Sequence, residues 1–249
     1  MTGWFRVISS SAKIAMVAAL EREVRPLVKG WRRVEREYLG QRFRFFESGQ
    51  VVVVCGGIGA EAARRATEAV IALYMPELVL SVGFAGGLDP ALKVGEIFSP
   101  SRVIDARDGS SVEIAAGRGV LVSALTIAGA EQKVKLAEAY AAQAVDMEAA
   151  AVARGAQARG VRFMAVKAIS DESKFSMPPL DRFVNRDGHF RQASFAASVV
   201  ARPRLWSKVF RLARNSAKAS RALCAELDRY ISESKVSGPE LRPVSSQLR

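Results

Sequence analysis

Histidine is almost absent from this 249-residue chain, which carries only His189. A His-based zinc site and a Ser-His-Asp triad both need more than that, so neither chemistry is expected. Cysteine is nearly as scarce. Cys55 and Cys224 lie far apart, without metal-type spacing or a disulfide framework, and read as two buried reduced thiols. No apolar run approaches the roughly 18 residues of a membrane span. The N-terminal MTGWFRVISSSAKIAMVAAL is mildly basic and apolar, but it runs straight into Glu21, Arg22 and Glu23, unlike a signal peptide. The expectation is a cytoplasmic protein. Acidic residues are also in short supply: 25 Asp and Glu face 37 Lys and Arg, a net charge of +12. Such a surplus attracts anions, whether nucleic acid, phosphorylated metabolites or acidic lipid headgroups.

What is present is a core. Apolar residues make up 49% of the chain, enough for one sizeable α/β domain. Strands are expected at 14–18, 42–47, 51–54, 78–82, 96–104, 120–123, 144–146 and 162–169, and helices at 21–29, 60–75, 131–140 and 148–157. The four valines at 51–54 mark a strand covered on both faces. The Gly-rich GFAGGLDPALKVGE and the polar stretch 173–188 read as loops, and the polar stretch 105–119 as a loop or hairpin. Strands alternating with helices predict a central sheet covered by helices. Near the C-terminus, residues 202–231 read as a basic amphipathic helix, possible break at Asn215, and 232–249 as a loose tail. One domain spanning residues 1–231 is the expectation.

Ligands of open α/β sheets bind at the carboxyl ends of strands. Four segments carry unusual residues there: Glu21 and Glu23 after the first strand, GFAGGL after Leu78–Val82, Asp146 and Glu148 in VDMEAAA, and Ser170-Asp171 after 162–169. Taken singly, the glycines are turn residues and the acids are helix caps. GGIG at 56–59 lacks the full spacing of a dinucleotide fingerprint.

In this order, IAMVAALEREV, GGIGAEAA, GFAGGLDPALKVGEI, VDMEAAAVA and VKAISDES resemble the nucleoside phosphorylase/nucleosidase superfamily, and most closely its methylthioadenosine/S-adenosylhomocysteine nucleosidases. The stretches cover about residues 13 to 174, and VDMEAAA followed by AISD is the specific part. The resemblance implies a three-layer α/β/α fold with a central mixed sheet, and cleavage of the bond between a purine, adenine in that branch, and ribose. It implies that Glu23 orients or activates water, that Glu148 grips ribose hydroxyls, and that Met147 packs beneath the sugar. Asp171 would protonate the purine at N7, supported by Ser170, and Gly86 and Gly87 would give close backbone approach near the ribose. No metal or organic cofactor is implied. The expected partners are a small nucleoside and, by analogy with the family, a second copy of the chain in a homodimer.

The roles suit the chemistry. Breaking an N-glycosidic bond builds positive charge on the sugar and negative charge on the base, which a carboxylate and a proton donor relieve. To serve as an acid near neutral pH, Asp171 must hold its proton well above the usual carboxylate range, through burial or through the base itself.

Some positions depart from the family pattern. Phe84 stands where a small hydroxyl residue is usual, and no Arg lies inside GFAGGL, which favours water over phosphate as nucleophile. Arg22 and Arg25 keep phosphorolysis open as the alternative. Residues 105–120 are short for the family, implying a more open pocket or a bulkier substrate, and Ile127 is the candidate for packing on the purine. PPLDRFVNRDGHFR and the basic helix are similar to the tail of hopanoid-associated phosphorylases, which release adenine from an adenosyl-lipid. That helix either packs on the sheet or lies on an anionic membrane surface. His189 falls outside the family's motif positions and reads as a loop residue. A non-catalytic, basic nucleic-acid-binding protein is the remaining class. The three acids and the lack of an aromatic-rich basic motif argue against it.

Overall fold

The computed structural model describes residues 13–175 and 206–237. The elements in chain order are β1 (Ile14–Ala18), α1 (Glu21–Val28), β2 (Arg32–Tyr38), β3 (Gln41–Ser48), β4 (Val51–Cys55), α2 (Ala60–Tyr74) and β5 (Leu78–Gly87). Then follow β6 (Ile97–Phe98), β7 (Arg102–Asp105), β8 (Ser111–Glu113), β9 (Val120–Ser123), α3 (Ala130–Tyr140) and β10 (Ala144–Asp146). The last are α4 (Ala149–Gln157), β11 (Arg162–Asp171) and α5 (Trp206–Ser237).

The strands form one mixed sheet in the order β2-β3-β4-β1-β5-β10-β9-β7-β8, with β11 paired to β5 and β6. Side-chain alternation builds the layers around it. Ile14, Met16, Val51 and Val53 point to one face, with Val24 and Val28 of α1 and Leu223, Leu227 and Ile231 of α5. Ala15, Val17, Val52 and Val54 point to the other, with Ala66, Val70 and Tyr74 of α2 and Val152 and Ala156 of α4. The three-layer architecture is therefore the one expected.

Five details differ from the sequence reading. Strand β2 was not anticipated; its RRVEREY pairs antiparallel with β3, Arg32 opposite Glu47 and Glu35 opposite Arg44. Strand β5 does not stop at Val82 but runs on through GFAGG, because β11 pairs with it as far as Gly86 and β10 pairs with Gly86 and Gly87. The expected strand 96–104 is two strands, β6 and β7, separated at Ser99–Ser101 around Pro100. Helix α5 is continuous through Asn215 and extends to Ser237, past the expected start of the tail. An Arg229–Glu233 ion pair at 3.1 Å and a Ser234 hydroxyl bonded to the Ile231 carbonyl at 2.8 Å carry it over the boundary. Of the thiols, both free, Cys224 is buried but Cys55 only half-buried.

The antiparallel pairing of β10 with Gly86 and Gly87 matters most for function. It turns the carboxyl end of β10 back along β5, toward the parallel ends of β1 and β11.

Candidate active site

At that convergence lies a cavity of about 150 Å³. Its wall includes Arg22 and Glu23 from α1, Ile58, Phe84 to Gly86 of β5, Ile127 before α3, Lys133 of α3, Asp146 to Glu148, Ser170 and Asp171 of β11, and Leu212 and Ser216 of α5. Of the residues singled out from sequence, Glu23, Phe84, Gly86, Ile127, Met147, Glu148, Ser170 and Asp171 all line it.

Gly87 does not. It is buried in β5, and a Cβ there would face the Asp171 carbonyl at 3.5 Å and Leu92 rather than the cavity. Arg25 is also outside the wall, whereas Arg22 is in it. No residue between 105 and 120 lines the cavity, so the length of that segment does not set its width. Instead β7 and β8 form a hairpin. His189 and residues 178–191 lie outside the described residues.

Glu23 is held from several directions. The Leu20 N–H donates to its Oε2 at 3.3 Å. Its own carbonyl accepts from the Ser220 hydroxyl at 3.0 Å and from the Cys224 thiol at 3.6 Å, which ties α1 to α5. Gly83 makes room for the carboxylate: a Cβ there would sit 2.8 Å from Glu23 Oε2, and the residue's φ of +145° is one that favours glycine. Burial pushes the Glu23 carboxyl above its usual range, against the pull of Arg22 and Lys167. Gly83→Ala is therefore expected to displace Glu23 and lower turnover about 10²-fold. Adding the same change to Glu23→Ala should cost little more; full additivity in the steady-state rates would separate Gly83 from Glu23.

Glu148 is the N-cap residue of α4. Its Oε1 accepts the Gly59 N–H at 2.8 Å, so GGIG does more than turn the chain. Gly59, at φ +93°, presents its N–H to Glu148, while Gly56 lets α2 close on the strand, since a Cβ there would meet Ala66 Cβ at 2.6 Å.

Beneath the cavity, Lys167 of β11 pairs with Asp146 at 2.8 Å, with side-chain exposures of 1% and 0%. It also donates to the Ser81 hydroxyl at 3.0 Å. Burial alone would lower the lysine's pKa, but Asp146, Glu148 and Glu23 outweigh it and the net shift is upward. Asp146 further accepts the Ser123 hydroxyl at 2.6 Å and the Ala149 N–H at 2.9 Å, capping α4.

Burial, and then the nearby Asp146 carboxylate, push Glu148 up to about 7. The folded protein thus holds this proton more tightly than the unfolded chain. Glu148 favours folding below its ordinary value of 4.5, and the contribution is lost as pH rises through about 7. Glu148→Gln removes the titration, so its melting temperature should gain on wild type between about pH 5 and about pH 7.5. A gap that stays constant with pH in paired thermal melts would remove the shift.

Asp171 has an arrangement the sequence reading did not foresee. The Ser170 hydroxyl donates to its Oδ1 at 2.7 Å, in line with the expected support. The ammonium of Lys133 forms a hydrogen-bonded ion pair with Oδ2 and also donates to the Glu172 carbonyl at 2.8 Å. Lys133 and Asp171 side chains are 2% and 3% exposed. A Cβ on Gly86 would lie 3.1 Å from both Asp171 Oδ2 and Lys133 Cε, so this glycine admits the pair.

Among the described residues, no group of His, Cys, Asp and Glu could hold a metal ion, and no helix is long and apolar enough to cross a membrane.

Comparison with known proteins agrees with this architecture. The family profile of the phosphorylase superfamily matches residues 13–116 and 112–199. A 5'-methylthioadenosine/S-adenosylhomocysteine nucleosidase from Marinomonas sp. is 33% identical over 95 residues, 36% of this chain and 41% of that protein. The chain thus spans about two-fifths of that relative's length. A protein of the same name from Bacillus pumilus is 26% identical over 216 residues, covering 70% of this chain and 92% of that one. The crystal structure of such a nucleosidase from Colwellia psychrerythraea, in complex with adenine, superposes with a TM-score of 0.59 at 25% identity, over 66% of this chain and 85% of that one.

Proposed function

We propose, from the fact that this chain belongs to the phosphorylase superfamily, that it is a purine nucleosidase releasing adenine from a 5'-modified adenosine by hydrolysis. The observation that carries the reading is the meeting of Glu23, Glu148 and Asp171, from three distant segments, at one cavity.

The chemistry assigned to them balances. As the C1'–N9 bond breaks, its electron pair goes to the purine and the ribose becomes cationic. The Asp171 carboxylate takes a proton from the Lys133 ammonium hydrogen-bonded to it and passes it to N7. Glu148 holds the ribose hydroxyls and, with Glu23, stabilises the positive sugar. Water adds to C1' and gives its proton to Glu23. Met147 and Ile127 are both half-buried in the wall, which supports packing of the first beneath the sugar and of the second on the base. Phe84 supports water as nucleophile, because its ring offers no hydrogen bond to phosphate. Phosphorolysis is the second reading, favoured by one feature: Arg22 lines the cavity beside Glu23.

Chromatography of free adenine from methylthioadenosine and S-adenosylhomocysteine, with and without phosphate, tests the proposal. Release without phosphate is expected. Release only with phosphate would replace hydrolysis by phosphorolysis and direct attention to Arg22. No release from either nucleoside in either buffer would overturn the reading.

A homodimer and a cytoplasmic location belong to the same proposal. Support for the dimer comes from Leu125 and Val134, which are 65% and 57% exposed beside the segment that forms the cavity wall. Light scattering on the purified protein tests it. The apolar stripe of α5 at Ala219, Leu223 and Leu227 is buried in the core, the first of the two placements expected for this helix, so any contact with an anionic membrane falls to its charged outer face alone.

A further inference from the structure

A second cavity, of about 640 Å³, lies on the other flank of α5. Among the described residues none lines both cavities: Leu212 and Ser216 face the first, while Arg211, Arg214, Lys218 and Arg221 face the second. These four recur at helical spacing and so form one cationic stripe. Lys174, just beyond the end of β11, adds a fifth cation, and Glu172 is the one acid among the described residues of the wall.

Several other surface arginines of this protein sit beside acids. Arg64 bridges Glu61 and Glu68, Arg154 bridges Asp105 and Asp108, and on α5 itself Arg229 bridges Glu226 and Glu233. Among the described residues, Lys174, Arg211, Arg214, Lys218 and Arg221 form no ion pair. Like charges three and four residues apart cost helix stability. Two of the cations are also held in place. The Arg211 guanidinium stacks 4.5 Å above the ring of Phe175, which is buried beneath it. The Lys218 stem lies against Gly95, where a Cβ would come within 3.0 Å of Lys218 Cε.

We propose that this second cavity binds a phosphate-bearing anion with several negative charges. Its volume falls within the range of small-molecule sites, about 300–1,000 Å³, and leaves room for more than one phosphate. Three guanidinium groups offer the planar forks that suit phosphate oxygens. Since among the described residues it shares none of its wall with the reaction cavity, the site stands independently of the nucleosidase reading.

The probe is inorganic tripolyphosphate, titrated calorimetrically into the full-length protein. Binding at one site per chain is expected, weakening as salt is raised. A triple variant R214A/K218A/R221A, checked for its fold by circular dichroism, should bind at least tenfold more weakly. D171N should bind as wild type does, so the result cannot be confused with loss of nucleosidase chemistry. A parallel arm distinguishes a soluble anion from a lipid headgroup. Co-sedimentation with phosphatidylglycerol vesicles but not phosphatidylcholine vesicles, reversed by tripolyphosphate, would assign the site to a headgroup. Calorimetric binding without co-sedimentation would assign it to a soluble phosphorylated compound. Either result supports the site. No binding of either probe overturns it, as does equal tripolyphosphate binding by wild type and the triple variant, which would reflect only the net charge.

Discussion

Asp171→Asn is expected to lower base release by about 10²–10⁴-fold, the usual worth of a general acid, while the fold survives. The amide cannot deliver the proton that N7 needs. Its carbonyl oxygen can still accept one of the two hydrogen bonds now made by Ser170 and Lys133, so the site is not left empty of partners. Single-turnover adenine release and a circular dichroism melt decide the matter together. Near-wild-type turnover in a folded variant would remove Asp171 from the reaction.

Lys133→Met carries the second large effect, and it falls on stability as well as rate. Taking away one member of a buried pair leaves the other charge without compensation, at a cost of about 3–5 kcal/mol. Urea denaturation should show that loss in the single variant, and the double variant Lys133→Met/Asp171→Asn should recover part of it, because it strands no carboxylate. A single-variant cost below about 1 kcal/mol would mean that the two groups are not coupled in the folded protein. The kinetic signature differs from that of simple damage. Without the ammonium the proton must come from solvent, so the variant's turnover should rise as pH falls, with KM little changed. An unchanged pH profile would leave Lys133 a purely structural role.

Whether a group could be read from the sequence depended on how far its role was local. The strands around Val51–Val54 and Leu78–Val82 were legible because burial on both faces leaves an unbroken apolar run. The three acids were legible from the resemblance of their motifs, and the fold brings them together. Strand β2 was not legible, since its alternating Arg and Glu suit an edge strand guarded by charge and carry no hydrophobic period. GFAGG reads as a loop in the sequence because Gly is a poor strand former in isolation. In the fold, its small residues clear space for Glu23 at Gly83 and for Lys133 and Asp171 at Gly86. Lys133 was hidden in EQKVK, where it looks like one more solvent-facing helix charge. Lys167 did carry a signal. A lysine inside MAVKAIS sits in a strand too apolar to leave it unpaired, and its partner Asp146 was already in view.

Ser220 and Cys224 hold the backbone of Glu23 across almost the whole chain, at separations of 197 and 201 residues. The clasp on Glu23 therefore comes from a segment synthesised about 200 residues after it. A nascent chain lacking α5 has every described strand of the sheet yet lacks the clasp that fixes Glu23. Competence for catalysis should thus appear late in synthesis, well after the sheet has formed. Stalled chains released before residue 220 are expected to be inactive, even where their far-ultraviolet spectrum already shows strand content.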